Sequence, residues 1–208
     1  AVFFSNAAND EIFKDFPHEF ECRMNFKLSE NGLEHKVTFI NHSGENMPLG
    51  VGYHTPIVVP FVNGSDKNSY KIMLSAGKRW ELNERTLPTG NMLDLTTDEA
   101  LLRTTGINPL GKALENAYTN EPITVDGKPY NGAVLTHEPS GMRVFYEVDK
   151  EVKDWTLWNN GGDAGYICPE PQTWAINAPN VKLPAEKTGF QSLAPKATWS
   201  SVSKVYVK

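Results

Sequence analysis

The chain has 208 residues, of which 39% are hydrophobic and 22% are charged, and its formal net charge is −5. These values are ordinary for a globular domain and exclude wholesale disorder. The negative balance argues against a nucleic-acid-binding surface, which needs clustered Lys and Arg. No apolar run approaches the ~18 residues that would cross a bilayer, so neither nucleic acid nor membrane is expected as a partner.

The chain start and the cysteines bear on the cellular compartment. The first residues, from Ala1 to Asn6, lack a basic stretch and are too short an apolar run for a signal peptide. They begin as if inside a strand, so we expect the N-terminal strands of the domain to be missing. Cys22 and Cys168, the only cysteines, show no metal-like spacing. Together these features predict a cytoplasmic protein with two reduced thiols and no bound metal.

The first clear element is a hairpin. Residues 18–28 alternate between polar and apolar, and this period of two places five side chains on the core side of a strand: Phe20, Cys22, Met24, Phe26 and Leu28. Asn31-Gly32 follows, a pair typical of tight hairpin turns because both residues tolerate positive φ. Residues 33–40 alternate again and predict the second strand.

Next along the chain, residues 47–61 carry polar and ionisable groups where a strand would bury apolar ones. Gly50 and Gly52 remove side chains beside His54, which leaves room for a ligand or for a close backbone approach. A lone histidine in a strand is often a satisfied structural residue. The local sequence therefore leaves the role of His54 open.

The remaining elements are short. Strands are predicted at residues 70–74, 78–82, 155–158, 165–168 and 199–207, a second hairpin at residues 133–148, and one or two helical turns at residues 97–103. Prolines and glycines punctuate the strands along the whole chain, and no internal repeat occurs. Many short strands with frequent turns indicate a single all-β domain over residues 1–208, a sandwich or barrel.

The segment at residues 166–177 is the second unusual one. Glu170 lies between Pro169 and Pro171 directly after an apolar strand, so its backbone is stiff. Burial there would raise the pKa of Glu170 towards a range useful for a general base. A strand-end carboxylate in a turn or salt bridge is the alternative. Gln172 and Asn177 add neutral groups of the kind that bind sugar hydroxyls.

Five aromatic residues could stack on the apolar face of a pyranose: Tyr53, Trp80, Trp155, Trp158 and Trp174. Most aromatic residues of a β-sandwich belong to its core, and Trp174, next to the Glu170 segment, is the best exception. The sequence has no nucleophile elbow, phosphate-binding glycine loop or His-x-x-x-His pair. The residues alone thus indicate a β-sandwich with a polar pocket of open function.

The order of these pieces resembles the aldose 1-epimerase (galactose mutarotase-like) superfamily over almost the whole chain. The resemblance is carried by residues 16–20 (FPHEF), 52–56 (GYHTP), 88–90 (PTG), 114–118 (LENAY), 167–173 (ICPEPQT) and 193–195 (LAP). It implies a large twisted antiparallel β-sandwich with few short helices, whose concave face holds a pyranose. The N-terminal segment of that family, with an arginine and a histidine that contact the sugar, has no counterpart here.

The resemblance also implies an activity, the interconversion of the α and β anomers of a free hexose such as galactose or glucose. Glu170 would be the general base and His54 the general acid, with no metal or organic cofactor. For sugar binding we expect Glu115, in place of the family's aspartate, together with Gln172, Tyr53, Trp174 and Asn177.

Two alternatives to the free-sugar enzyme stay open. One is a carbohydrate-binding sandwich without turnover, and the other is an epimerase for a hexose phosphate, which would need Arg and Lys clustered at the cleft mouth. A chain that starts inside a sandwich would also expose a strand edge. A second copy in a homodimer, or a further chain segment, would cover that edge.

Overall fold

The computed structural model describes residues 1–8 and 10–208, and most of its regular structure is β-strand. In chain order the strands are β1 (Val2–Ser5), β2 (Phe20–Ser29), β3 (Gly32–Asn41), β4 (Met47–Pro48), β5 (Ile57–Val58), β6 (Tyr70–Leu74), β7 (Ala76–Leu82), β8 (Pro88–Leu93), β9 (Glu115–Asn120), β10 (Ile123–Val125), β11 (Lys128–Tyr130), β12 (Gly132–His137), β13 (Arg143–Val148), β14 (Asp154–Trp158), β15 (Tyr166–Gln172), β16 (Ser192–Leu193) and β17 (Thr198–Val207). The helices are short: α1 (Asp10–Asp15), α2 (Thr97–Ala100) and α3 (Ala185–Thr188). None of the helices described is long and apolar enough to cross a bilayer.

Two large sheets form the sandwich. One has seven strands in the order β1-β2-β3-β17-β13-β12-β6, and the other has six in the order β5-β15-β14-β9-β7-β8. Neighbouring strands pair antiparallel, as between β14 and β15 and between β14 and β9. Two further two-stranded sheets, β10-β11 and β16-β4, complete the pairing. The predicted all-β class and antiparallel sandwich are confirmed.

The main core joins the two large sheets. Ile72 and Leu135 from the seven-stranded sheet pack in one cluster with Trp155 and Leu157 from the six-stranded sheet, and all four are at most 1% exposed. Burying an aliphatic side chain of this size contributes roughly 1.5–3 kcal/mol. Because Trp155 and Leu157 alternate with Thr156 on β14, the opposite face of that strand is free to line a site.

The first hairpin forms as predicted, but the predicted burial of its apolar face is wrong for three residues. β2 and β3 pair from Phe20↔Asn41 to Ser29↔Gly32. Met24, Phe26 and Leu28 are 36%, 62% and 80% exposed, although Cys22 on the same face is buried. The apolar cluster around Met47, Leu49 and Leu193 packs against the Phe20 end of this face. The turn end extends past that cluster and stays open to solvent.

The other predicted strands are present with small changes at their ends, except the one predicted at residues 165–168. It extends as β15 to Gln172 and includes Glu170, which was expected after the strand, because Pro169 and Pro171 continue the pairing with β14. The helical turns at residues 97–103 form α2 and a following 3₁₀ turn. The Thr96 side chain and Glu99 make a capping box that starts α2. β9 was not predicted as a strand, because four of its six residues are Glu, Asn or Thr. It is nevertheless an inner strand of the six-stranded sheet, with Ala117 and Tyr118 buried.

Candidate active site

Strand β15 supplies one wall of the candidate site. Its side chains alternate, so that Cys168, Glu170 and Gln172 share one face, whereas Ile167 on the other face belongs to the main core. The pairing with β14 places Thr156 opposite Glu170 and Trp158 opposite Cys168. Residues opposite each other in an antiparallel pair project to the same side. Polar groups from two neighbouring strands are therefore concentrated on one face.

His54 comes from a segment that runs beside β15. Gly52 forms an isolated antiparallel bridge with Gln172, and β5 pairs with the start of β15 through Ile57↔Ile167. His54 lies between these two attachments, which brings it next to the middle of β15. The segment is thus fixed at both ends while the His54 side chain, 60% exposed, faces solvent.

The flanking glycines have a packing role. A Cβ on Gly50 would lie 1.7 Å from the Trp174 indole, so the backbone approaches that ring too closely for any side chain. A Cβ on Gly52 would make only ordinary contacts, with Gln172 at 3.4 Å and with the Pro171 carbonyl oxygen at 3.9 Å. Of the two interpretations open from the sequence, the structure shows the close approach at Gly50.

His54 contacts two side chains of β15. Its Nε2 lies 3.1 Å from Oε1 of Glu170, and its Nδ1 lies 3.3 Å from Sγ of Cys168. The edge of the ring also packs against Trp158, with ring centroids 5.4 Å apart. The imidazole is therefore held on three sides, with Nε2 directed at the carboxylate.

Burial determines the protonation of the two β15 groups. Desolvation raises the pKa of Glu170, and the charge of His54 and a hydrogen bond with Cys168 partly oppose that shift. Desolvation and then the nearby Glu170 charge raise the pKa of Cys168 to about 12, so the thiol keeps its proton. A thiol is a weak donor and a weak acceptor. It can pair with Nδ1 in both protonation states of His54 while Nε2 keeps its direction.

The pair opens into a cleft of about 220 Å³. The cleft is lined by His54, Leu82, Thr86, Glu115, Asn116, Ala117, Thr156, Trp158, Glu170 and Ile176. Among the described residues no Lys or Arg lines it. A mostly buried carboxylate, 14% exposed, next to an imidazole that faces solvent can accept and donate protons on a small polar molecule.

Two of the predicted binding residues lie at this cleft or next to it. Glu115, the first residue of β9, is exposed and lines it. Gln172 is outside the lining, but its Nε2 donates to Oγ1 of Thr156 over 3.0 Å. Gln172 thereby orients a hydroxyl of the lining.

The other three predicted binding residues lie outside the lining. Tyr53 follows the alternation of an extended chain and points away from His54, with its ring against His35 and its buried hydroxyl unpaired within the described residues. Trp174 stacks on Phe190, with centroids 5.4 Å apart. Asn177 adopts a left-handed conformation, with φ of 61°, and accepts a hydrogen bond from Asn180.

Sequence reasoning did not assign Asn116, Thr156, Cys168 or Ile176 to the site, and it favoured a packing role for Trp158. The local signal for Thr156 and Trp158 was their alternation with the apolar Trp155 and Leu157. That pattern places them on the face opposite the core. It cannot show that β14 pairs with β15 in the register that puts Thr156 beside Glu170.

Comparison with known proteins gives a consistent result. The sequence model of the family described as aldose 1-epimerase matches residues 1–206. A galactose mutarotase-like protein from Clostridium acetobutylicum is 37% identical over the whole chain, with a TM-score of 0.96. A galactose mutarotase-like protein from Lactobacillus casei and an aldose epimerase homologue from C. elegans share the fold at 18% and 15% identity, with TM-scores of 0.71 and 0.67. The chain spans 61%, 68% and 64% of the lengths of these three proteins.

Proposed function

The chain belongs to the aldose 1-epimerase family, and from that premise we propose that it interconverts the α and β anomers of a free aldohexose. The observation that carries the proposal is the His54–Glu170 pair, with Nε2 and Oε1 3.1 Å apart at an open cleft. The family gives the reaction class. The pair supplies the two proton-transferring groups that this class requires.

In the proposed mechanism Glu170 is the base and protonated His54 is the acid. The Glu170 carboxylate takes the proton of the anomeric hydroxyl, and the electron pair of that O–H bond forms the carbonyl. The bond between the anomeric carbon and the ring oxygen breaks, and Nε2 of His54 gives its proton to the ring oxygen. Rotation about the bond to the aldehyde carbon, followed by the reverse proton transfers, closes the ring as the other anomer.

The spacing of the pair supports this mechanism. The anomeric oxygen and the ring oxygen are bonded to the same carbon, so they lie closer together than two hydrogen-bonded atoms. A base and an acid that each lie within hydrogen-bond reach of one of them can therefore be at most roughly 8 Å apart. His54 and Glu170 meet that requirement, and each can come within the roughly 2.6–3.2 Å that proton transfer needs.

The rest of the lining favours an uncharged sugar. Glu115, Asn116 and Thr156 offer acceptors and donors for hydroxyl groups, and Trp158 offers an aromatic surface beside His54. Glu115 and Glu170 also give the cleft a negative balance, which is unfavourable for a phosphate. A free hexose is therefore preferred over a hexose phosphate. The proposal includes a cytoplasmic location, which the two free, buried cysteines support.

Polarimetry on freshly dissolved α-D-galactose and α-D-glucose tests the proposal. The wild-type chain should accelerate mutarotation, and Glu170→Gln should reduce the acceleration roughly 10²–10⁴-fold, which is the usual contribution of a general base. Glu30→Gln, in the exposed β2–β3 turn, is the matched control and should behave as wild type. Saturable sugar binding in calorimetry without acceleration would instead support the binding module without turnover.

A further inference from the structure

The proposed mechanism gives no role to one side chain next to the pair, the Cys168 thiol. Its sulfur completes a group of three donors with the imidazole of His54 and the carboxylate of Glu170. One donor atom from each residue lies within 4.8 Å of the other two. Among the His, Cys, Asp and Glu side chains that the structure describes, this is the one group of three or more with such proximity.

The donor distances are close to those of a tetrahedral metal site. Zinc binds Cys sulfur at about 2.3 Å and His nitrogen at about 2.0 Å, which puts adjacent donor atoms about 3.3–3.6 Å apart. Here sulfur and Nδ1 of His54 are 3.3 Å apart. An oxygen of the Glu170 carboxylate also lies within 4.8 Å of the sulfur and of a ring nitrogen of His54, so the carboxylate is close enough to supply a third donor.

The donor types select the class of cation. A thiolate, an imidazole and one carboxylate suit Zn²⁺ and its thiophilic analogue Cd²⁺, whereas Ca²⁺ and Mg²⁺ need six or more oxygen ligands. The cleft leaves a fourth position open for water or for a sugar hydroxyl. Two of the donors, Cys168 and Glu170, lie on the same face of β15, and His54 contacts both of them from the neighbouring segment.

We propose that His54, Cys168 and Glu170 form a binding site for Zn²⁺ or Cd²⁺, and that metal bound there inhibits the enzyme. On binding, the thiol releases its proton to solvent, and the thiolate and carboxylate together neutralise the 2+ charge. The metal then holds Nδ1 of His54 and the Glu170 carboxylate, so the carboxylate can no longer accept the proton of the anomeric hydroxyl. The inhibition rests on the proposed function, but the binding itself does not.

Cadmium absorption tests the binding independently of activity. Titrating metal-free wild-type protein with Cd²⁺ should produce thiolate-to-cadmium charge-transfer absorption in the ultraviolet that saturates at one equivalent. Cys168→Ser should lose it, and Cys22→Ser, which changes the other free cysteine, should keep it. Absence of the band in wild type, or its presence in Cys168→Ser, would overturn the proposal.

His54→Ala provides a second variant in case Cys168→Ser does not fold, because the His54 side chain is largely exposed. Calorimetry should show that this variant binds Zn²⁺ at least roughly 10–100-fold more weakly than wild type does. Loss of a residue that only supports a metal ligand already weakens binding by that factor. Equal affinity would contradict the proposed ligand set.

The inhibition is measured by polarimetry with Zn²⁺ added to the wild-type protein and then removed with EDTA. We expect loss of acceleration that EDTA reverses. Saturated metal binding with undiminished mutarotation would refute the inhibitory part. If the metal-free protein shows no mutarotation at all, the proposed function fails, while the cadmium titration still decides the metal site.

Discussion

In strands β15 and β2 apolar and polar side chains alternate between two faces. The apolar face of β15 is buried, whereas much of the apolar face of β2 is exposed. In β15 the apolar Ile167 enters the core, and Glu170 on the other face lines a cleft. In β2 the apolar Phe26 and Leu28 are mostly exposed. Alternation thus determines which side chains share a face. Whether that face is covered depends on elements far away in the sequence.

The largest difference between the two regions should appear in stability. Leu157→Ala, in the fully buried layer beneath the cleft, should lower the free energy of unfolding by about 2–5 kcal/mol, because a cavity forms in the core. Leu28→Ala removes the same atoms from an 80% exposed side chain and should change stability by less than about 0.5 kcal/mol. Urea unfolding followed by fluorescence measures both, and equal costs would contradict the comparison.

The next effect concerns Asp154, a carboxylate on the face of β14 that also carries Thr156. Asp154 is 3% exposed and accepts a hydrogen bond from Nε1 of Trp80. Desolvation raises the pKa of Asp154 to about 7, an effect that this hydrogen bond partly opposes. The folded state therefore holds a proton that the unfolded state releases above pH ~4. Stability should fall as the pH rises from about 4 to about 7 and then level off.

Asp154→Asn removes that titration while keeping an oxygen for Trp80. Relative to wild type, the variant should gain stability as the pH rises through this range, by about 4 kcal/mol at pH 8. Thermal unfolding across the pH series measures the difference. Asp163→Asn, at an 88% exposed carboxylate, is the control and should show no such trend.

A smaller effect is expected at Thr156, whose hydroxyl lines the cleft and accepts from Gln172. Thr156→Val keeps the shape but removes this hydrogen bond, which should cost about 1 kcal/mol in kcat/KM, or roughly fivefold. Thr124→Val, on an exposed position of β10, should leave kcat/KM unchanged. An unchanged kcat/KM in Thr156→Val would show that this hydroxyl has no role in substrate binding or turnover.

The smallest effect on stability is expected at the open end of the hairpin. Phe26→Ser removes a 62% exposed ring that stacks on His35 across the hairpin, so the free energy of unfolding should fall by at most about 1 kcal/mol. Binding of the dye ANS to the native protein should decrease, because the dye reports exposed apolar surface. Unchanged dye binding would show that this end is already covered in solution.

The same contrast explains what could be predicted from sequence. The β2–β3 hairpin followed from alternation and the Asn31-Gly32 turn, which are local signals. The exposure of Met24, Phe26 and Leu28 could not be predicted from local signals. The apolar cluster covers only the Phe20 end of the hairpin, and it includes Leu193 from the far end of the chain.

The candidate site divides in a similar way. His54 and Glu170 had local signals in their glycine and proline neighbours, supported by the family resemblance. The position of Thr156 beside Glu170 depends on the register between β14 and β15. The position of Cys168 in the site depends on its contact with His54, 114 residues away in the sequence. Tyr53 could have been placed correctly, since consecutive residues of an extended chain point to opposite sides and His54 already faces the cleft.

The most direct measurement of the central claim is a double-mutant cycle on His54 and Glu170, with mutarotation followed by polarimetry. Acid and base in one ring-opening step act as a unit, so the effects of changing them are not additive. His54→Asn and Glu170→Gln should each remove most of the acceleration, and the double variant should be hardly slower than the slower single one. Normal turnover in either single variant, or fully multiplicative losses in the double variant, would contradict the account.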